Sequence, residues 1–388
     1  MATKVYTGVS SVAQRVRKIY IGVNGVAQKV RKGYIGIAGV ARQFFASSGK
    51  IVFKETKTLS TARISLGAAT VGNYAIFGPG VTGNTNTGTG EYEAFDSSLT
   101  KSTISESSPC GEYGAGTVGD YAIFAGGQSK ASPRRTCIAI NKSLTKTTKD
   151  DGLSVAKYAM GSASVNSRAI FAGGHVRGDY SYTNTVDAID ASLTTTALES
   201  MYLARGYLAG ASTRSLAVFV GGTSGSTSDV TSRYDYYNAS MTRGSYYVGA
   251  DTHYLAAASV GKYAVFAGGQ GNSHSIRNNV YAINNSGTCT NATALSQARR
   301  ELAATTMIDY AAFAGGSGSM YTHEVYTTID TYDTALTRET KLTLSTGRRS
   351  LAGASVGNYL LFGGGSTDPY LQGYTTSDVL DVYEYVTF

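Results

Sequence analysis

KETKTLSTARISLGAATVGNYAIFGPG (54–80) and RETKLTLSTGRRSLAGASVGNYLLFGGG (338–365) are near copies that stand almost a whole chain apart. The text between them repeats the same motif. It reads NYAIFGPG around Phe77, DYAIFAGG around Phe124, SRAIFAGG around Phe171 and SLAVFVGG around Phe219. It continues as KYAVFAGG around Phe266, DYAAFAGG around Phe313 and NYLLFGGG around Phe362. Successive phenylalanines are 47, 47, 48, 47, 47 and 49 residues apart. Seven copies at so regular a spacing define an array of structural repeats.

Each repeat reads as four strands. A run of small residues such as LAGASVG is the first, and the YAIF run that ends in glycines is the second. Paired glycines allow positive φ and close approach of a neighbouring backbone. The third strand is an alternating run such as VDAID. A turn begins after it at Asp96, Asn141, Asp190, Asn238, Asn284 or Asp333. Asp and Asn there can accept bonds from backbone N–H groups two residues on. A Thr-rich fourth strand follows. Four antiparallel strands in about 47 residues make a propeller blade rather than a solenoid coil.

The seventh repeat stops at DVLDVYEYVTF, one strand short, and the missing text appears at 54–60 as KETKTLS. The segment 51–60 is therefore expected to complete the last blade and close the ring, hiding sheet edges that would otherwise pair with other chains. Blades are expected at about 61–107, 108–154, 155–202, 203–249, 250–296, 297–345 and 346–388 plus 51–60. Over 51–388 the double-glycine strand, the repeat length and the closure resemble kelch-type propellers. The chain departs from that pattern in having no Trp on its fourth strands, or anywhere. The expected fold is all-β: a seven-bladed kelch-like β-propeller, closed by an N-terminal strand and preceded by a small β-hairpin repeat arm.

Composition divides the molecule in two. Residues 1–50 carry nine of the 34 Lys and Arg and no acidic residue, so the rest is nearly neutral, with 25 basic against 26 acidic. We read 1–46 as a basic arm for attachment and oligomerisation and 47–388 as the propeller. Cys110, Cys137 and Cys289 are odd in number and far apart, which suggests neither a disulfide framework nor a zinc site. The N-terminal text lacks the apolar core of a secretory signal. No apolar run reaches the roughly 18 residues of a membrane helix.

The arm holds its own repeat: VYTGVSSVAQRVRK, IYIGVNGVAQKVRK and GYIGIAGVARQFF, at a period of 14. Asn24-Gly25 is a strong hairpin signal. Pairing around it sets Val23 opposite Val26, Ile21 opposite Gln28 and Ile19 opposite Val30, with Lys29 and Arg31 on the other face. A hairpin this thin cannot bury its apolar face alone. The repeats resemble short N-terminal repeats of tail-associated structural proteins of phages and prophages of Gram-positive bacteria. That resemblance implies a component of a virion or phage-tail-like particle, assembled in the bacterial cytoplasm. It also implies contact with other virion proteins through 1–46; arms that must bury an apolar face favour a homo-oligomer, a trimer first. The clustered cations could neutralise phosphate, but no nucleic-acid-binding pattern accompanies them. Neither nucleic acid nor membrane insertion is expected.

Fourteen residues before each repeat phenylalanine stand Arg63, Cys110, Lys157, Arg205, Thr252, Arg299 and Arg348. The five cations are expected to ring one mouth of the channel, where they could bind carboxylates, sulfates or acidic sugars. The alternative is that each ties adjacent blades through backbone carbonyls. The loops after the second strands are rich in residues suited to adaptable recognition. Among them are His175, Arg177, Tyr180 and Tyr182, then Tyr321 and His323, then Tyr370 and Tyr374. No metal-ligand spacing, nucleophile elbow or phosphate loop is present. No catalytic residue, metal or cofactor is therefore assigned. The function expected is recognition of a bacterial surface glycan or protein by a particle-anchored propeller. Two alternatives are an architectural decoration or baseplate protein without a ligand, and a sugar-acting enzyme, for instance on sialic-acid-like compounds.

Overall fold

A computed structural model describes residues 19–23, 26–30, 32–37, 40–46 and 49–387, apart from 83–86, 131, 178–180, 226–228, 320–323 and 369–374. The chain divides into two compact units, 53–383 and 1–52 with 384–388. In the arm, Ile19–Val23 pairs antiparallel with Val26–Val30, at the register read from the sequence. Lys32–Ile37 pairs in the same way with Val40–Ala46.

The larger unit is a seven-bladed β-propeller. Each blade is a four-stranded antiparallel sheet, and in six of them the strands follow chain order. The first strands are short and built of small residues, such as Ala256–Val260 and Ala352–Val356. They surround a narrow space of about 290 Å³ lined by Ala, Gly, Ser and Thr. The second strands, such as Leu216–Val220, are buried on both faces, which explains their unbroken apolar text. In the last blade the fourth strand is Gly49–Thr58, beside Val379–Thr387. The ring closes as expected.

The core lies between blades rather than within them. Phe171 of the third blade packs with Ile123, Ala139 and Met160, and Phe219 of the fourth with Ile170 and Leu208. At the closure Phe77 and Phe95 of the first blade share a cluster with Leu361, Leu380 and Val382 of the last. The paired glycines tie these layers together. Gly221 has φ +70, and a Cβ there would stand 2.1 Å from the Thr252 carbonyl of the next blade. That same carbonyl accepts a bond from the Gly222 N–H at 2.8 Å. Only glycine combines that φ with that approach.

The turns after the third strands carry more than the expected bond. Asp190 Oδ1 accepts from the N–H of Ser192, two residues on, at 3.0 Å, and also from that of Thr194, four residues on, at 3.0 Å. The other five Asp and Asn turns repeat both bonds. This double grip holds Leu193 at φ +61, a conformation that carries a steric cost for a branched side chain.

Candidate functional site at the channel mouth

The five cations do not form an open ring. Arg63, Lys157, Arg205, Arg299 and Arg348 are fully buried, each against a fully buried carboxylate of the third strand in its own blade. The pairs are Arg63–Glu93 at 3.0 Å, Lys157–Asp187 at 2.9 Å, Arg205–Asp235 at 2.8 Å and Arg299–Asp330 at 3.0 Å. Arg348–Asp381 is the fifth. Carbonyls of the same blade satisfy further donors, as Phe171 O does for Lys157 and Gly364 O for Arg348. The carboxylates in turn accept N–H groups from the segment that enters the blade, including Ser60, Ser154 and Ser296. These side chains are bolts inside the blades, inaccessible to a ligand. Their fixed charge follows from buried partners, since a buried charge without one is costly.

The two exceptions prove the coupling. Blade two has Cys110 where the cation would be, and opposite Phe124 stands Ile138 in place of the acid. In blade five Thr252 replaces the cation, and Tyr281 stands opposite Phe266. Cation and acid are therefore lost together.

Two residues beyond each cation the chain reaches the mouth itself. Ser65, Glu112, Ala159, Tyr207, Tyr254, Glu301 and Ser350 all lie at φ between +52 and +57. Each donates its backbone N–H to the carbonyl of its neighbour. Glu112 gives to Ser65, Ala159 to Glu112, Tyr207 to Ala159, Tyr254 to Tyr207, Glu301 to Tyr254, Ser350 to Glu301 and Ser65 to Ser350. The bonds run from 2.8 to 3.1 Å and close into a circuit around the channel. Non-glycine residues in this region cost about 1–3 kcal/mol each and persist where surrounding structure fixes them. The circuit supplies that constraint and points seven side chains at one cavity.

The cavity holds about 470 Å³ and is lined by this ring together with Tyr113, Met160, Arg349 and a rim of leucines. Its chemistry is uneven. On one side Tyr207 and Tyr254 meet with ring centroids 4.6 Å apart. Next to them around the ring, Arg349 Nη1 donates to Glu301 Oε2 at 2.6 Å, and the Ser350 hydroxyl donates to the same oxygen at 2.8 Å. Arg349 is 3% exposed, and its buried Nη2 has no hydrogen-bond partner among the described residues. Gln128 Nε2 donates to Glu112 Oε2 at 2.7 Å.

The two carboxyls are driven apart. Burial pushes the Glu112 carboxyl up to about 7; the Gln128 bond opposes this and the charge of Glu301 adds to it. Burial also pushes Glu301 up, but Arg349, Arg300 and Ser350 outweigh it and hold that carboxyl below its ordinary value. Unfolded, Glu112 loses its proton near 4.5; folded, it keeps it to about 7. The folded state binds more protons in that window, so stability falls as pH rises through it. Glu301 titrates below the window and leaves it unaffected. Glu112→Gln is expected to flatten the decline in denaturation midpoint between about pH 5 and about pH 8. An equal decline in both proteins would contradict the assignment.

The loop candidates divide. His175 is 5% exposed. It stacks on Tyr158 with centroids 4.8 Å apart and meets the edge of Tyr182 at 4.7 Å. It is therefore a packed residue and is not presented to a ligand. Tyr182 is half-buried, its hydroxyl donating to Gly225 O at 3.2 Å. The Arg177 side chain and Tyr180, Tyr321, His323, Tyr370 and Tyr374 lie outside the described residues. His253 stands 4.5 Å from Tyr254, and burial pulls its imidazole down to about 4, so it is neutral at pH 7. Glu112, Tyr207, Tyr254, Glu301 and Arg349 were not singled out by the sequence.

No family model matches the sequence, and no curated protein matches it. The solved structure of YjhT is similar in fold, with a TM-score of 0.53 over 85% of this chain and 99% of that one. The two are 11% identical, so the likeness shows the propeller fold alone.

Proposed function

We propose that this protein recognises a bacterial surface glycan at the mouth of its propeller channel. In this reading its basic arm holds it on a phage or phage-tail-like particle. The observation that carries the recognition half is the cavity, where paired tyrosines adjoin a carboxylate–guanidinium cluster. Tyrosine ring faces are negative and suit the C–H face of a pyranose. Carboxylates and a guanidinium suit its hydroxyls or an acidic group. About 470 Å³ is room for a small saccharide. The particle half is supported by the arm's YIGVNGVAxKVRK-type repeats, and a kelch-like kinship by the double-glycine repeat. Fluorescent intact protein is expected to bind host cells saturably, and Tyr207→Ala/Tyr254→Ala to lose that binding. Equal binding by the variant would move recognition away from the mouth. Absence of binding to any host would favour the architectural role.

One observation favours a second reading, an enzyme acting on sugars. Glu112 keeps a proton near neutrality while Glu301 stays ionised in the same cavity. Carboxyls driven apart in this way supply an acid and a base. Turnover of host-wall oligosaccharides, lost in Glu112→Gln with binding retained, would establish it.

A further inference from the structure

Blade two has a cavity of about 390 Å³ where the missing bolt would be. Five other blades occupy this place with a long cation and an acid. Blade five, which also lacks the pair, refills it differently: Tyr281 is buried there, and the Thr252 hydroxyl donates to Gly268 O at 2.9 Å. In blade two the substitutes are the shorter Cys110 and Ile138, and both line the cavity.

The walls are chemically sorted. Tyr92, Phe124 and Ile138 form an apolar floor, with the two rings 4.9 Å apart. Arg134 and Lys146 stand at the side. Arg134 gives Nη1 to the Ser108 carbonyl; Lys146 donates to the Ser105 carbonyl and reaches Glu106 at 3.4 Å. Glu106 also accepts the Ser108 N–H at 2.8 Å, and exposed Asp150 completes the charged set. Ser107 lines the cavity too. It lies 47 residues from both Ser60 and Ser154, whose N–H groups bind the acid of the blade that follows them. Burial pushes the Cys110 thiol up to about 11, so it carries no charge to repel an anion.

We propose that this cavity binds a small organic carboxylate: its charged end stands where other blades keep their own acid, and its hydrocarbon body lies on the apolar floor. The site shares the Tyr113 wall with the channel mouth, and the proposal does not depend on the glycan reading.

The test uses intact protein and 3-phenylpropionate as probe, with its neutral amide as control. Binding is read by saturation-transfer NMR, and contact by alkylation of Cys110 with N-ethylmaleimide, mapped by peptide mass. Saturable binding of the acid is expected, with Cys110 alkylation slowed as the site fills. The amide and the Arg134→Gln variant are expected to bind at least about tenfold more weakly. Cys110→Arg/Ile138→Asp, which rebuilds the bolt, is expected to abolish binding. Should that variant fail to fold, the amide and Arg134→Gln still decide. Equal affinity for acid and amide, unchanged Cys110 reactivity in the presence of the acid, or no binding at millimolar concentration would overturn the proposal.

Discussion

Lys157→Met in the intact chain is expected to cost about 3–5 kcal/mol of stability. The substitution nearly preserves volume and removes only the charge that faces Asp187 at 2.9 Å. Asp187 would remain fully buried, with the Ser154 N–H at 3.0 Å still bound to it. Burial already pulls the Lys157 ammonium down, and Asp187 is what pulls it back up. Without Lys157 the buried carboxylate is left unpaired. Lys157→Met/Asp187→Leu is expected to recover most of the loss, because an apolar pair replaces a buried ion pair at little cost. Blade two provides a natural precedent, with Cys110 and Ile138 at the equivalent places. Chemical denaturation of the three proteins checks this. A double variant no more stable than the single one would contradict it.

The second large effect is at the closure. Deleting 51–58 removes most of the strand that completes the last blade. Phe53 would leave the edge of Tyr383, where their rings stand 5.7 Å apart. The unpaired groups of Val379–Thr387 would become an open sheet edge, which recruits other chains. A fall in melting temperature of about 10 °C or more is expected, with self-association on light scattering. An unchanged melting temperature and a monodisperse product would show that closure contributes nothing.

The fold was legible because its signal is periodic. The repeat phenylalanine, its glycines and the Asp or Asn turn each recur seven or six times, and the split last blade betrayed the closure. The site was harder to read, and the reason is instructive. Stepping back 14 residues from each phenylalanine gives a column of cations, whose very uniformity marks a role common to all blades. Stepping back 12 gives Ser65, Glu112, Ala159, Tyr207, Tyr254, Glu301 and Ser350, a column with no shared chemistry. A ligand touching a seven-fold scaffold makes different demands on each blade, so heterogeneity at a fixed position was the usable signal. The acid partners were visible too: Glu93, Asp187, Asp235, Asp330 and Asp381 occur only in blades that have the cation. The left-handed backbone at the mouth was not visible. No glycine marks it, and the circuit that enforces it joins residues 47 or more apart in the chain.

The most direct test is the binding isotherm of purified host-wall polysaccharide on three intact proteins: wild type, Tyr207→Ala/Tyr254→Ala and Lys157→Met/Asp187→Leu. Recognition at the mouth predicts that the tyrosine variant loses affinity by at least about tenfold while the bolt variant binds as wild type does. Unchanged affinity in the tyrosine variant, or a loss confined to the bolt variant, would contradict the central claim.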